Sequence, residues 1–263
     1  MEVHHHPDLH HRPKKWREYF FEFCMIFLAV TMGFIAENIR ETISEHSKAK
    51  DYAESLYKEV YEDSVIMQNK LQLRNRKEDE MEYFRSYVLD SNLMHLSSRF
   101  YPSFSWSFIL TTSIIFEPND GILNELKSSG SKRYLKSISL QKDISDIDVV
   151  ISKIRNRNNQ EYNFVEDFTR PFTIQFYDFR WQDFLTQHGK LSILDGLMQN
   201  GGNSTGAFLI RNLPEFKRDH AEAIAAYYLL MLRATRQLYY EDYIKKNHQL
   251  LEALRSEYNL NEE

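Results

Sequence analysis

The chain has 263 residues, 42% of them apolar and 27% charged, with a net charge of -5. Those proportions exclude disorder of the whole chain, and the negative mean hydropathy excludes a protein that crosses the membrane many times. The thin acidic excess argues against a nucleic-acid binder with a broad basic surface, and the single cysteine, Cys24, excludes an intramolecular disulfide.

The first eleven residues read MEVHHHPDLHH. His4, His5, His6, His10 and His11, with Asp8 among them, have the donor chemistry to hold Zn, Ni or Cu. They lack the two ordered ligand pairs of a structural zinc site, so residues 1–15 read first as a flexible cytoplasmic tail. No cofactor signature occurs anywhere in the chain.

Residues 19 to 36 read YFFEFCMIFLAVTMGFIA, 18 residues with one charge, Glu22. At the helical rise they span about 27 Å, close to the thickness of a bilayer core. Trp16, Tyr19 and the phenylalanines form an aromatic edge at the N-terminal side. The next residues, ENIRETISEH, offer no small-residue cleavage site, so a retained transmembrane helix over 16–39 fits better than a removed signal peptide. Arg12, Lys14, Lys15 and Arg17 crowd the near side, while Glu37, Glu41 and Glu45 dilute the far side. The positive-inside rule then puts the N-terminus in the cytoplasm, and in a gram-negative bacterium the rest in the periplasm. Glu37 falls at the outer interface. Glu22 lies near hydrocarbon, where a carboxylate is costly, and reads as an interfacial ion-pair partner of Lys15 or Arg17, or else as a group for oligomer contacts or proton handling. Ala29 and Gly33 form one small-xxx-small pair, a weak signal for close helix approach.

From residue 40 the chain reads as a helical soluble domain. Gly and Pro, only 8 and 6 in all, are absent from 34–101 and from 215–263, which leaves room for two very long helical regions and makes the expected class all-α. Ile39, Ile43, Ala53, Leu56, Tyr57, Val60, Met67 and Leu71 recur at three- and four-residue steps, the pattern of an amphipathic helix continuous with the anchor. The tract RNRKEDE at 74–80 reads as a solvated face or a break. The aromatic block RFYPSFSWSFILTTSIIFE at 99–117 reads as core. In PNDGILNELKSSGSKRYLKS, Pro118 and Asn119 turn the chain, Asp120 is placed to cap the next helix, and Gly130 to end it. Lys127, Lys132 and Arg133 could hold an anion, but the run is no phosphate loop. A helix is expected over 139–168 with Ile144, Ile147, Val150, Ile151 and Ile154 inward, closed by Pro171. Residues 172 to 213 read as irregular, with a loop at Gly201, Gly202 and Gly206. Pro214 opens a last helix running to about Tyr258, its inner stripe Ala221, Ile224, Ala225, Tyr228, Leu229 and Leu232. The apolar run within 224–238 is too short for a second crossing.

WREYFFEFCMIFLAVTMGFIAENIRE after a histidine-rich head resembles the start of a family of single-pass membrane proteins common in Bacteroidota. FEPNDGILNELKSSGSKRYLKS is similar to a motif of their outer domains. The likeness covers the first 45 residues and about 20 in the middle. That family has no assigned activity, so the resemblance implies topology and source and supplies no catalytic residue.

Among function classes, a non-enzymatic envelope protein is favoured: a scaffold or complex subunit, bound to the bilayer and to a protein partner or a second copy, with no nucleic acid. Ligand or metal sensing through the histidine-rich head is one alternative. A membrane-bound enzyme is the other, although His95, His188 and His220 stand in no GxSxG or HExxH frame.

Overall fold

The computed structural model describes residues 15–187, 189–200 and 208–260. The histidine-rich head, with His4, His5, His6, His10 and His11, therefore lies outside the described residues, as do His188, Gly201, Gly202 and Gly206. The described chain is all-α, with no strand among those residues. Its helices are α1 (Trp16–Asp90), α2 (Phe100–Phe104), α3 (Gly121–Ser128), α4 (Ile138–Phe164), α5 (Arg170–Phe176), α6 (Arg180–Leu185), α7 (Ile193–Asn200), α8 (Arg218–Thr235) and α9 (Glu241–Tyr258). Contacts divide the chain into two compact units, one ending at Asp51 and the next beginning at Tyr52.

In the first unit, α1 carries an 18-residue stretch apolar enough to cross a membrane, and none of it is buried. It is the one candidate membrane span among the described residues. The helix forms because the stretch holds no proline and one glycine, and Thr31 returns its hydroxyl to the Phe27 carbonyl at 2.7 Å.

In the second unit three long helical runs share a core. α1 from Tyr52 onward lies antiparallel to the α8–α9 run. Asn247 donates to the Val60 carbonyl at 2.8 Å, Tyr243 to Asp63 at 2.9 Å, and Arg85 to Glu222 at 2.6 Å. α4 packs antiparallel to the same run, with Lys246 on Asp146 at 2.8 Å and Arg157 on the Met231 carbonyl at 3.0 Å. The expected inward stripes are largely buried: Ala53, Leu56, Val60 and Met67 of α1, Ile144, Ile147, Val150, Ile151 and Ile154 of α4, and Ala221, Ile224, Ala225, Tyr228, Leu229 and Leu232 of α8; Ile39 and Ile43, expected in the α1 stripe, are instead 56% and 66% exposed, and Tyr57 and Leu71 are half-buried.

The aromatic block is core, as expected from its composition. Phe100, Phe104, Phe108 and Trp106 are buried, and Phe84 meets three of them at ring separations of 5.7, 5.1 and 5.0 Å. Buried Ser105 ties Tyr177 (2.6 Å) and the Trp181 indole (3.1 Å) together, so the two large polar rings bury their heteroatoms satisfied.

Four local expectations are corrected. RNRKEDE is no break and only partly a solvated face: α1 runs through it, Asn75 and Asp79 are exposed, but Arg74, Lys77 and Glu78 are buried. Pro171 does not close the α4 path. It lies within a continuous helical path, in which a π turn (Val165–Thr169) runs directly into α5 with Pro171 as its second residue. Residues 172–213 hold α5, α6 and α7 rather than irregular chain throughout. Pro214 sits in a short 3₁₀ turn, Leu213–Glu215; α8 begins at Arg218, and another π turn, Arg236–Tyr240, divides it from α9. Gly130 does end α3, at φ 69°, a backbone angle glycine adopts without a Cβ penalty.

Candidate functional site

Two polar constructions hold the second unit together, and, besides scattered exposed apolar residues such as Ile138 and Ile174, one apolar surface is left over. The first construction is a buried charge cluster. Arg74 donates to the Leu232 carbonyl at 3.2 Å, to the Tyr240 hydroxyl at 3.4 Å, and to Glu161. Thr235 donates to the same Glu161 oxygen, and the other carboxylate oxygen, Oε2, is buried without a hydrogen-bond partner. Lys77 donates to the Leu110 carbonyl at 2.7 Å and lies 4.6 Å from the Tyr228 ring centroid. Burial drives its ammonium down to about 7; the Glu161 charge opposes that shift, and Arg74 adds to it. Tyr228 and Tyr240 are pushed upward by burial and stay neutral.

The three π turns among the described residues all border this cluster. Leu110 follows the turn Ser105–Ile109, Glu161 precedes Val165–Thr169 by one helical turn, and Tyr240 ends Arg236–Tyr240. A π turn inserts one residue and so rotates the helical phase of every residue beyond it. The turn Arg236–Tyr240 carries Tyr240 inward to Arg74, where its hydroxyl also accepts from the Phe116 N–H at 3.1 Å.

The second construction fixes the PNDG turn. Asp63 of α1 accepts from the Asn119 N–H at 3.0 Å, the Asn119 amide at 2.7 Å and the Tyr243 hydroxyl. Burial raises the Asp63 carboxyl above its usual range despite these donors. Asp120 occupies the N-cap position of α3 but makes no side-chain cap, which corrects the expectation. Glu59 supplies that cap from α1, accepting from the Ile122 N–H at 2.9 Å and the Leu123 N–H at 3.4 Å. Asp120 turns to Arg155, which also holds Glu117 at 2.7 Å and the Pro118 carbonyl at 3.1 Å. The Arg155 guanidinium holds the Asp120 carboxyl below its ordinary range.

The surface left over is the seam between α4 and α8. Residues 223–232 of α8 read AIAAYYLLML. Ile224, Ala225, Tyr228, Leu229, Met231 and Leu232 fill the core, yet Tyr227 is 55% and Leu230 63% exposed. Across the seam, Phe164 meets Phe168 at 5.2 Å and Tyr227 at 5.1 Å between ring centroids. At its other end lies an open groove of about 330 Å³ lined by Lys153, Asn156, Arg157, Gln160, Leu238 and Tyr239.

The residues singled out in the sequence do not form one site. Glu22, Ala29, Gly33 and Glu37 are all exposed on α1, and a Cβ at Gly33 would meet nothing within 4 Å. Glu37 pairs with Arg40 through contacts of 3.0 and 2.5 Å. The would-be anion cluster is dispersed: Lys127 reaches Asp148 at 2.7 Å, Lys132 reaches Ser145 at 2.6 Å, and Arg133 lies 5.1 Å from the Tyr134 ring centroid. His95 and His220 are exposed and far apart in the chain, and no cluster of metal-ligating side chains occurs among the described residues.

Sequence reasoning missed Arg74, Lys77, Glu161, Asp63 and Glu59. A signal was there: Met67, Arg74, Lys77, Met81, Phe84 and Val88 continue the three- and four-residue spacing of the inward stripe.

Fold and surfaces define an all-α protein with one candidate membrane-spanning helix at its N-terminal side. Compared with family models, curated proteins and solved structures, the chain matches none.

Proposed function

We propose that the chain is a membrane-anchored, non-enzymatic envelope protein, a scaffold or complex subunit that binds a protein partner through its helical domain. The anchor spans 16–39 in a bacterial inner membrane, with the N-terminus cytoplasmic and the domain from residue 40 periplasmic. The bias of Arg and Lys toward the near flank supports that orientation. The likeness to a Bacteroidota single-pass family agrees with it.

One observation carries the partner-binding reading: the ten-residue apolar run of α8 has an uncovered outer face. A helix apolar all round belongs in an interior, because each exposed apolar side chain forgoes the gain of leaving water. The charged groups of the second unit point the same way, since the buried cluster and the PNDG latch are taken up in holding helices together.

The test is purification from native membranes in mild detergent, with mass spectrometry of what co-elutes and the size of the complex. A stoichiometric second protein is the expected result. A lone monomer or a homo-oligomer overturns the subunit reading.

A further inference from the structure

We infer that the seam between α4 and α8 receives an amphipathic helix of a partner protein, apolar along one face and acidic at one end. This rests on the partner-binding reading above and specifies its site and occupant.

The seam is built for a helix. Phe168, Tyr227, Leu230 and Leu238, all more than half exposed, follow its length on both sides. An occupying helix meets such a row with residues at i, i+3, i+4 and i+7. The seam ends at two π turns, one carrying Phe168 and the other Leu238 and Tyr239. Single π turns re-aim side chains and recur at functional sites. Here each sets apolar side chains at an end of an otherwise regular helix pair.

Charge sets the chemistry and direction of the occupant. Lys153 makes no hydrogen bond or ion pair with the described residues. Beside it Arg157 is held in place by Thr235 (2.8 Å), the Met231 carbonyl (3.0 Å) and Gln160 (3.0 Å), none of them an anion. The neighbouring Arg233 and Arg236 are neutralised by Glu82 and Glu78 at 3.3 and 3.0 Å. Asp242, one turn beyond Tyr239 and also without an ion pair among the described residues, offsets one of these charges, so Lys153 and Arg157 leave this end with a balance of one positive charge, and a carboxylate is its complement. At the other end exposed Asp167 is likewise unpaired among the described residues, so the occupant carries its acids at the Lys153 end only. A second copy laid side by side would bring Lys153 against Lys153. Laid the other way it would match charges, and an adduct between two copies at Leu230 is what that arrangement would give.

The experiment places a photoreactive p-benzoylphenylalanine at Leu230 of the full chain in its native membrane and maps the adduct by mass spectrometry. The expected adduct is one segment of another protein, with apolar residues at helical spacing and acidic residues at one end. Its yield falls about tenfold with Lys153→Glu and is kept with Lys153→Arg, the size of effect one close ion pair gives. An adduct to a second copy, to lipid or to a segment without that pattern overturns the inference, as does no adduct, or a yield indifferent to Lys153→Glu. Leu230→Asp separates the two readings. If the partner still co-purifies with this variant, it docks elsewhere and only the seam assignment fails. If the unaltered chain has no partner, both fail.

Discussion

Two stretches of α1 reverse the usual relation between polarity and burial in opposite senses. From Phe23 to Ala36 the side chains carry no charge and are mostly uncovered, with Ile26 66% and Phe34 73% exposed. Further on, Arg74, Lys77 and Glu78 are charged and covered, with Arg74 and Lys77 at 0%. The difference is one of surroundings. No described residue covers the first stretch, and in the proposed reading the bilayer does. The second is tolerated because Glu161, Tyr240, Thr235 and two backbone carbonyls arrive from distant parts of the chain to replace water.

The sharpest way to break this comparison is to remove the anion. Glu161→Ala removes the charge that helps keep Lys77 protonated and leaves buried Arg74 without a counter-charge, and is expected to cost about 3–5 kcal/mol in denaturant unfolding of the purified protein. If the cluster is a structural device only, replacing it whole by Arg74→Met, Lys77→Leu and Glu161→Leu leaves stability unchanged or raises it by about 1–4 kcal/mol. The triple variant melting as low as Glu161→Ala would show that more than ion pairing is lost.

The other half of the comparison is tested in the anchor. Leu28→Arg puts a charge at the middle of the apolar stretch, at about 2.5–3.5 kcal/mol against insertion. The fraction of chain resisting alkaline extraction from membranes is expected to fall sharply. Unchanged retention would mean the stretch does not span.

A smaller effect is expected at the PNDG turn. Asp63→Ala orphans the Asn119 N–H and the Tyr243 hydroxyl and should cost about 1–3 kcal/mol, read as a lowered denaturation midpoint. An unchanged midpoint would mean the turn is held by Arg155 and Glu59 alone.

The finest probe is pH. Lys77 is held down to about 7 in the fold against an ordinary 10.5, so the unfolded chain binds the extra proton between those values. Stability relative to Lys77→Met should therefore be flat below about pH 7. It should rise above it, by at most about 1.4 kcal/mol per pH unit. A difference constant from pH 6 to 9, or one that falls, would show that Lys77 is not desolvated as described.

Periodicity and composition are enough to give the class and much of the core. The absence of Gly and Pro from 34–101 foretells the long α1, the stripe from Ala53 to Met67 foretells its buried face, and the aromatic block foretells the core around Trp106. Gly130 is legible as a helix end because its αL geometry has few alternatives. The PNDG turn is legible as a turn, but local reasoning gives its cap to the wrong carboxylate. Asp120 is the local candidate, whereas Glu59 reaches α3 from 63 and 64 residues earlier in the chain, a pairing that only packing creates. The π turns are not legible either. They shift the phase of a helix by one residue without any composition of their own, so Val165–Thr169 reads as plain helix and Pro171 as its end.

The sequence by itself determined that this chain is helical, where its apolar stretch lies, and which residues face the core wherever polarity and burial agree. It did so because helix period and side-chain transfer energy are local properties. Only the tertiary structure decided where polarity and burial disagree. Arg74, Lys77 and Asp63 go inward because partners from distant segments meet them there, and Tyr227 and Leu230 stay outward because every inward place on α8 is already filled.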